Sequence, residues 1–450
     1  MTNDEYIQYR RRGRKIFEDK VQEKNVEKIM SERWNDIRNF PYKTYQEIKD
    51  WQLKRIAELV DYAYLNIPLY KKKYDTIGYH VGDIKSWDDY DKLPMLYKEE
   101  LIEGFPDDIV KDVEDYIFST RSSGSSGRFV TIAVSKDAIF EDTIQGFRQY
   151  YIQSNNNYEN TDTVLFIYTC PWWIQSVNGK YKAEFLPTTT KIKDAIEFIK
   201  RIRPKIISTY PTYLERIAAT DIKLDEYGVD TVIVHSEQSN PLQRELLSKK
   251  LSVNVVDEYS SEELTRIALE CHYHNYHIEE DACYIETYNP NTLKKCEYGE
   301  SGIIVGTNLL NTSTPIIKYW QGDLAVIDKP VQCKCKNNCR TLKKINGRFM
   351  DSIVTPGGDI IAASAFMDLA YNWFLEFEIP VHGLRYQFIQ ETKDTLDLYL
   401  ITGTFQIDFD KIRESVYSLI PSDIRLNIKC VDEVPINAQK YRPVINRINK

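Results

Sequence analysis

Short apolar runs alternate with amphipathic helical patterns between residues 163 and 256. The predicted strands are Thr163–Tyr168, Lys205–Ser208, Thr231–His235 and Val253–Val256. The predicted helices between them are Lys193–Ile202, Thr212–Thr220 and Leu242–Leu251. Parallel strands need a crossover connection, which is usually a helix. The alternation therefore predicts an α/β fold with a mixed or parallel sheet flanked by helices.

The chain is too long for a single compact core. It has 450 residues, whereas single hydrophobic cores stop growing near ~250–300 residues. We expect a large N-terminal domain, residues 1–348, that begins with a helical extension over residues 1–62. Residues 349–450 are expected to form a small, mobile α+β domain. Further predicted elements are the strands Gly302–Val305, Pro315–Tyr319 and Leu396–Ile401, and the helix Phe409–Leu419.

The net charge is mildly negative. Lys and Arg number 59 and Asp and Glu 67, which gives a formal charge of −8. Without a basic block, the chain is a poor candidate for binding nucleic acid through phosphates. No apolar run is long enough for a membrane span, and the charged N-terminus has no signal-peptide core. We therefore expect a cytoplasmic protein.

A loop rich in serine and glycine is the sharpest local feature. It comprises Ser122, Ser123, Gly124, Ser125, Ser126, Gly127 and Arg128. Glycines let the backbone approach a ligand, and consecutive amides with hydroxyl donors form a concave anion site. Taken alone, the loop could equally be a flexible surface segment.

The loop resembles the phosphate-binding loop of adenylate-forming enzymes, and four further segments resemble that superfamily in the same order. They are Tyr259-Ser-Ser-Glu-Glu263, Thr314-Pro-Ile-Ile-Lys-Tyr-Trp-Gln-Gly-Asp323, Ile345-Asn-Gly-Arg-Phe-Met-Asp351 and Ala438-Gln-Lys-Tyr-Arg442. Upstream, Asp91-Lys-Leu-Pro-Met-Leu-Tyr-Lys-Glu-Glu-Leu101 is similar to the opening of the phenylacetate–CoA ligase family and its capsule-biosynthesis relatives. The resemblance covers nearly the whole chain.

The resemblance implies that a carboxylate and ATP form an acyl-adenylate with release of pyrophosphate, after which a nucleophile takes the acyl group. Residues 122–128 would then bind ATP phosphates, Glu263 would bind Mg²⁺, and Lys440 would be catalytic. The other implied ATP or AMP contacts are Ser236, Glu237, Tyr259, Ser260, Asp323 and Arg348. Out of this context, Glu263 could be a helix-start carboxylate, Asp323 a turn residue and Lys440 a surface lysine.

Cysteine and histidine cluster in two segments, Cys271–His277 and Cys333–Cys339. Three thiolates and an imidazole make a closed tetrahedral site that suits structural Zn²⁺. The family resemblance favours Cys271, His277, Cys333 and Cys335 as ligands, with His272, His274 and Cys339 as rivals. The alternative is a set of free thiols and solvated histidines.

Aromatic residues follow the predicted strands, where open α/β sheets bind ligands. They predict an acyl pocket lined by Trp172, Trp173, Tyr210, Tyr213 and His235, although such residues are also common in plain cores. No Arg or Lys in these segments requires a second acidic group on the substrate.

Three functions compete. The first is a ligase that activates a small aryl or aliphatic acid and transfers it to CoA. The second passes the acyl group to a carrier protein, an amine or a sugar. The third is a zinc-stabilised nucleotide-binding scaffold with weakened catalysis, suggested by departures from the family pattern at Ser260, Met350 and Gln439. A homodimer is left open.

Overall fold

The computed structural model describes residues 20–111, 116–121, 129–169, 171, 174–380, 383–435 and 441–448. Over these residues, helices and strands alternate, and most of the strands join one large sheet. None of the helices in these ranges combines the length and the apolar character needed to span a bilayer.

The helices of the described residues concentrate before residue 105, around the parallel strands, and near the C-terminus. In chain order they are α1 (Lys20–Asn39), α2 (Tyr45–Asn66), α3 (Pro68–Asp75), α4 (Trp87–Asp91), α5 (Lys98–Gly104), α6 (Lys136–Gln153), α7 (Ile192–Ile202), α8 (Pro211–Ala218), α9 (Pro241–Leu251), α10 (Ala363–Glu376) and α11 (Phe409–Tyr417). A capping box starts α2, because Thr44 and Glu47 satisfy each other's backbone N–H groups.

The longest strands of the described residues all lie after residue 250. In chain order the strands are β1 (Tyr116–Arg121), β2 (Thr131–Ser135), β3 (Thr163–Tyr168), β4 (Lys182–Pro187), β5 (Ile206–Thr209), β6 (Thr231–His235), β7 (Asn254–Ser261), β8 (Thr265–Glu270), β9 (Tyr276–Ile278), β10 (Cys283–Tyr288), β11 (Ser301–Asn308), β12 (Tyr319–Asp328), β13 (Thr341–Arg348), β14 (Ile353–Val354), β15 (Ile360–Ile361), β16 (Arg385–Thr392), β17 (Thr395–Ile401), β18 (Arg425–Cys430) and β19 (Val444–Asn446). The longest of these are β7, β11, β12, β13 and β16.

The large sheet has a parallel half and an antiparallel half. Its strand order is β10-β11-β12-β13-β9-β8-β7-β6-β5-β3-β4. Pairing is parallel from β4 to β7 and antiparallel from β7 to β10. The predicted α/β fold, with helices flanking a mixed sheet, is confirmed.

Helices cover both faces of the parallel half. On β6, Ile233 packs in the cluster that contains α6, whereas Val232 and Val234 pack in the cluster that contains α7, α8 and α9. Successive residues of a strand point to opposite faces, so a nearly continuous apolar run serves both clusters. The parallel half is therefore buried on both sides, and its polar groups are left at the strand ends.

A buried ionic cluster ties α6 to the rest of the N-terminal part. The Arg148 guanidinium, 1% exposed, lies 2.6 Å from Asp281 and 2.5 Å from Glu279, and it also donates to the Ile37 carbonyl. Removing one partner from such a pair leaves an uncompensated buried charge. The cluster thus fixes α6 between α1 and the segment that precedes β10.

The C-terminal strands form a separate four-stranded sheet in the order β18-β17-β16-β19. Phe366, Trp373, Phe388 and Ile412 belong to an apolar cluster of this sheet with α10 and α11. This part packs against α9, where Asn240 Nδ2 donates to Asp368 Oδ1 at 2.5 Å. The helix α10 also packs against β13, where the Ser364 hydroxyl donates to Asn346 Oδ1 at 3.2 Å, so α9 and β13 together support the C-terminal part.

The predicted strand Pro315–Tyr319 is wrong, because β12 begins only at Tyr319. Lys318 has a positive φ of 52°, which takes the backbone out of the extended region. Its N–H donates to Thr307 Oγ1, and the Ile317 N–H donates to the Tyr70 hydroxyl. Side chains satisfy these backbone groups, so an apolar run is buried here without a strand.

Candidate active site

Aromatic rings meet where the parallel strands end. Tyr168 stacks on Tyr210 with ring centroids 5.2 Å apart, and His235 lies 5.2 Å from Tyr168 and 5.9 Å from Tyr210. Tyr168 and His235 are the last residues of β3 and β6, and Tyr210 follows β5. Adjacent parallel strands end at the same edge, which explains how residues far apart in the sequence come together.

The segment after β6 is held by the neighbouring loops. Ser236 has a φ of 68° and lies 2.9 Å from His235 Nδ1 through its Oγ. Glu237 accepts hydrogen bonds from the Thr212 hydroxyl at 2.7 Å and from the backbone N–H of Tyr441 at 3.4 Å. The C-terminal segment therefore contacts the predicted nucleotide-binding segment directly.

A second group of predicted residues lies at the edge formed by β7, β12 and β13. The Tyr259 hydroxyl donates to Asp323 Oδ2 at 2.6 Å, and Gln321 Nε2 donates to both of these side chains. Asp323 pairs with Arg348 across the β12–β13 ladder, with Arg348 Nε 3.9 Å from Asp323 Oδ1. Burial raises the pKa of Asp323, and the Arg348 charge and the Tyr259 hydrogen bond oppose that rise.

Glu263 lies in the turn between β7 and β8 and is 8% exposed. The Tyr319 hydroxyl donates to its Oε1 at 3.4 Å, and the Asn308 amide donates to its carbonyl. Burial raises its pKa, and the nearby Glu262 and Asp323 charges add to the rise. The carboxylates of Glu262, Glu263 and Asp323 together create a negative potential around this turn. A bound divalent cation would reduce that potential.

Several predicted site residues lie outside the described residues. They are Ser122, Ser123, Gly124, Ser125, Ser126, Gly127, Arg128, Trp172, Trp173 and Lys440. Arg121 precedes residues 122–128 and Thr131 follows them, and these two residues pair in the β1–β2 hairpin. The Thr120 hydroxyl donates to Glu262, next to Glu263. Thr120, which precedes the predicted phosphate loop by two residues, therefore lies beside the acidic turn.

The predicted metal ligands come together. Ligand atoms of Cys271, His277, Cys333 and Cys335 all lie within 4.8 Å of one another. The Cys271 and Cys333 sulfurs are 3.7 Å apart, and Cys335 Sγ is 3.2 Å from His277 Nε2. Tetrahedral zinc with Zn–S bonds of ~2.3 Å would place two sulfurs ~3.8 Å apart, so the donor set and spacing fit zinc.

The rival ligands have other partners. His274 Nδ1 lies 3.1 Å from Glu270, and His272 Nδ1 lies 3.2 Å from the Asn254 amide. Cys339 is buried against Phe40 and Ile48. The pKa of Cys271 is lowered, first by its hydrogen bond with Cys335, as expected where thiols share a proton. Geometry therefore selects His277, where the residue pattern left three histidines open.

A polar cavity on the α6 face of the sheet was not predicted from the sequence. It lies between α6 and the sheet, and its lining includes Gln149, Ser208, Glu258 and Arg266. Tyr213 is absent from the described lining; its ring is buried on the opposite face of the sheet, and its hydroxyl donates to the Thr190 carbonyl. The one sequence signal was an acidic pair, Asp257-Glu258, that directly follows the apolar run Val253–Val256.

Comparison with known proteins gives the family context. No family model matches the chain. It is 25% identical over 343 residues to the phenylacetate-coenzyme A ligase of Aromatoleum evansii, which covers 72% of this chain and 75% of that protein. This chain is a homologue of the phenylacetate–CoA ligases. The Thermus thermophilus phenylacetate-coenzyme A ligase is 21% identical over 370 residues, covering 78% of this chain and 80% of that protein.

Solved structures agree with this phenylacetate–CoA ligase relationship at the level of the fold. A 2-hydroxyisobutyryl-CoA ligase in the postadenylation state with 2-HIB-AMP matches with a TM-score of 0.72 at 17% identity, covering 90% of this chain and 91% of that one. The same ligase with 2-HIB-AMP and CoA in its thioesterification state matches at 0.59 and 18% identity, with the same coverage. The arrangement of this phenylacetate–CoA ligase homologue thus superposes better on the postadenylation form.

The Asp323→Asn variant tests the β12 part of the site. If Asp323 binds the nucleotide as a charged acceptor, its loss removes a hydrogen bond worth ~1.5–3 kcal/mol, so KM for ATP should rise ~10–100-fold. Asp328→Asn is the matched control, because Asp328 ends the same strand and its carboxylate accepts from the Lys329 backbone. An unchanged KM for ATP in Asp323→Asn would contradict the role.

Proposed function

We propose that this chain is an ATP-dependent adenylate-forming ligase that activates a small carboxylic acid and transfers it to CoA. One observation carries the proposal: Tyr259, Glu263, Asp323 and Arg348, from three separate motifs, meet beside the strand ends of a CoA-ligase homologue. The similar proteins are CoA ligases, and this favours CoA as the acceptor of the acyl group over an amine, a sugar or a carrier protein.

The nucleotide would lie along the carboxyl edge of the sheet. Asp323 would accept hydrogen bonds from the ribose hydroxyls, with Arg348 close enough to contact ribose or phosphate. Ser236, Glu237, Tyr259 and Ser260 would border the base. The loop of residues 122–128 would bind the β- and γ-phosphates through backbone N–H groups, hydroxyls and Arg128.

Glu263 would hold Mg²⁺ through a hard carboxylate oxygen, which its acidic and buried surroundings support. A bound magnesium ion would neutralise phosphate charge. In the first step, a carboxylate oxygen attacks the α-phosphorus and pyrophosphate leaves, while Lys440 offsets the charge of the two anions. In the second step, the CoA thiolate attacks the acyl carbonyl and AMP leaves.

The second step would require a rearrangement of the small domain. We place the boundary after Arg348 and the hinge near Met350 and Asp351, in the short 3₁₀ turn Phe349–Asp351. Met350 is half exposed, and Asp351 forms an ion pair with Arg442. Breaking contacts such as Tyr441 with Glu237 would withdraw the Lys440 segment and admit CoA.

We also propose a structural zinc site at Cys271, His277, Cys333 and Cys335. The β9–β13 pairing sets His277 opposite Thr341, while the two later cysteines come from the β12–β13 loop. Four protein ligands leave no open coordination position, which assigns the metal no catalytic step. The site would tie the β12–β13 loop to the end of β8.

Acid-dependent exchange of labelled pyrophosphate into ATP tests the function directly. We expect exchange with at least one acid of a panel, and thioester formation when CoA is added. Exchange without a thioester would favour the carrier-protein, amine or sugar acceptor. Nucleotide binding without exchange for any acid would instead support the scaffold. The need for ATP and CoA supports a cytoplasmic location, and a homodimer stays a prediction.

A further inference from the structure

The cavity between α6 and the sheet carries more polar groups than a pocket for a plain aryl group needs. It is small and partly open to solvent. Its lining includes Gln149, Ser208, Ile233, Glu258 and Arg266. A guanidinium and a carboxylate thus share a small cavity with a primary amide and a hydroxyl.

The cavity adjoins the edge where acyl transfer would take place. Ile233 lies two positions before His235 on β6, and the charge of His235 acts on Glu258 in the cavity lining. Residues two apart on a strand share one face, so the cavity lies on the α6 face of the sheet, below His235. An acyl group with its carboxylate at the edge would extend into it.

Arg266 is held rigidly in this cavity. Its Nη1 lies 2.5 Å from Asp142 Oδ1, and its Nε donates to Gln149 Oε1 at 2.9 Å. A methyl group at Gly146 would come within 2.8 Å of Arg266 Nη2, so the glycine allows the guanidinium to lie against α6. Nη2 donates to none of the described residues, so this donor stays available to a ligand.

Glu258 places a negatively charged hydrogen-bond acceptor in the same cavity as the positively charged donor Arg266. Its Oε2 accepts from Gln149 Nε2 at 2.7 Å. Burial acts to raise its pKa, but Arg266, His235 and the hydrogen bonds with Gln149 and Ser260 outweigh burial and lower it. With Asp142, Glu258 and Arg266 ionised, the cluster carries two negative charges and one positive charge. A second substrate carboxylate would add to this excess, whereas a hydroxyl or an ammonium group would not.

We infer that the acid substrate carries a hydrogen-bond donor on its acyl chain, either a hydroxyl or an ammonium group, that is bound by Glu258 with Arg266 opposite. This inference rests on the proposed function. A plain phenyl or alkyl chain would displace the water molecules that hydrogen-bond to these charged groups. It would offer no hydrogen bonds in their place. Sites built to bond a substrate hydroxyl or amine reject analogues that lack it.

The test is pyrophosphate exchange with matched acids: butyrate, 3-hydroxybutyrate, 3-aminobutyrate, succinate, and the pair phenylacetate and 4-hydroxyphenylacetate. We expect kcat/KM for a hydroxyl- or amino-bearing acid to exceed that for its unsubstituted parent at least ~10-fold. Preference for butyrate, phenylacetate or succinate would overturn the inference while leaving the proposed function intact. No exchange with any acid would overturn both.

The Glu258→Gln variant separates recognition from support of the fold. We expect kcat/KM for the preferred acid to fall at least ~10-fold more than kcat/KM for its unsubstituted parent. A larger loss for amino than for hydroxy acids would identify the ammonium group. Glu391→Gln, an exposed member of an ion pair with Arg447, is the control. An equal loss for substituted and parent acids would show a structural role and overturn the inference.

Discussion

Replacing Lys440 with alanine is expected to lower the rate of acid-dependent pyrophosphate exchange by about 10²–10³-fold while leaving ATP binding largely intact. Adenylation brings a carboxylate and a triphosphate together, so a cation at the reacting oxygens matters most in the transition state. Tyr441, the next residue in the sequence, already contacts Glu237 through its backbone N–H. This contact brings Tyr441, the described residue that follows Lys440, to the candidate site.

Exchange kinetics and equilibrium binding of ATP should be measured on the same preparations of this variant. Lys393→Ala provides the control, because Lys393 is an exposed lysine in the turn between β16 and β17. Exchange at the parent rate in Lys440→Ala would refute a catalytic role. A parallel loss of ATP affinity would instead assign the lysine to ground-state nucleotide binding.

The Cys333→Ser variant is expected to lose its metal and much of its stability. A ligand present at 100 times its Kd stabilises the folded state by about 2.7 kcal/mol, so in a domain of this size loss of the site should lower Tm by ~3–4 °C. Cys333 is only half-buried, which limits the packing cost of the substitution itself. The destabilisation would begin in the β12–β13 loop.

Metal content and thermal unfolding give the measurements. The parent protein should contain about one equivalent of zinc, and Cys333→Ser well below half of that. Cys430→Ala is the control, because Cys430 is an exposed cysteine on β18. Less than about half an equivalent of zinc in the parent protein would argue against the site.

Most regular elements could be predicted from the local sequence. Thr163–Tyr168 and Thr231–His235 form strands with the predicted bounds, because apolar runs of that length bury both faces in a parallel sheet. The segment Pro315–Tyr319 has similar composition, yet its backbone groups are satisfied by Tyr70 and Thr307. Those partners lie far away in the sequence, so no local pattern could reveal them.

The candidate site was only partly predictable. The motif around Tyr259 and the one ending at Asp323 were found separately, and the sheet brings their side chains to 2.6 Å. Arg266 was missed because its partner Asp142 lies on α6, and nothing in either local sequence links them. Tyr213 was predicted to line the acyl pocket, but the described cavity lies on the other face of the sheet.

By itself, the sequence determined the α/β class, the order of the motifs and the residue types that suit adenylation and zinc binding. These properties follow from periodicity and from the intrinsic chemistry of side chains, which are local. Only the tertiary structure decided that His277 rather than His272 or His274 joins the cysteines, and that Glu258 and Arg266 share a cavity. Both depend on register and packing between distant strands and helices, which set distances that no single segment encodes.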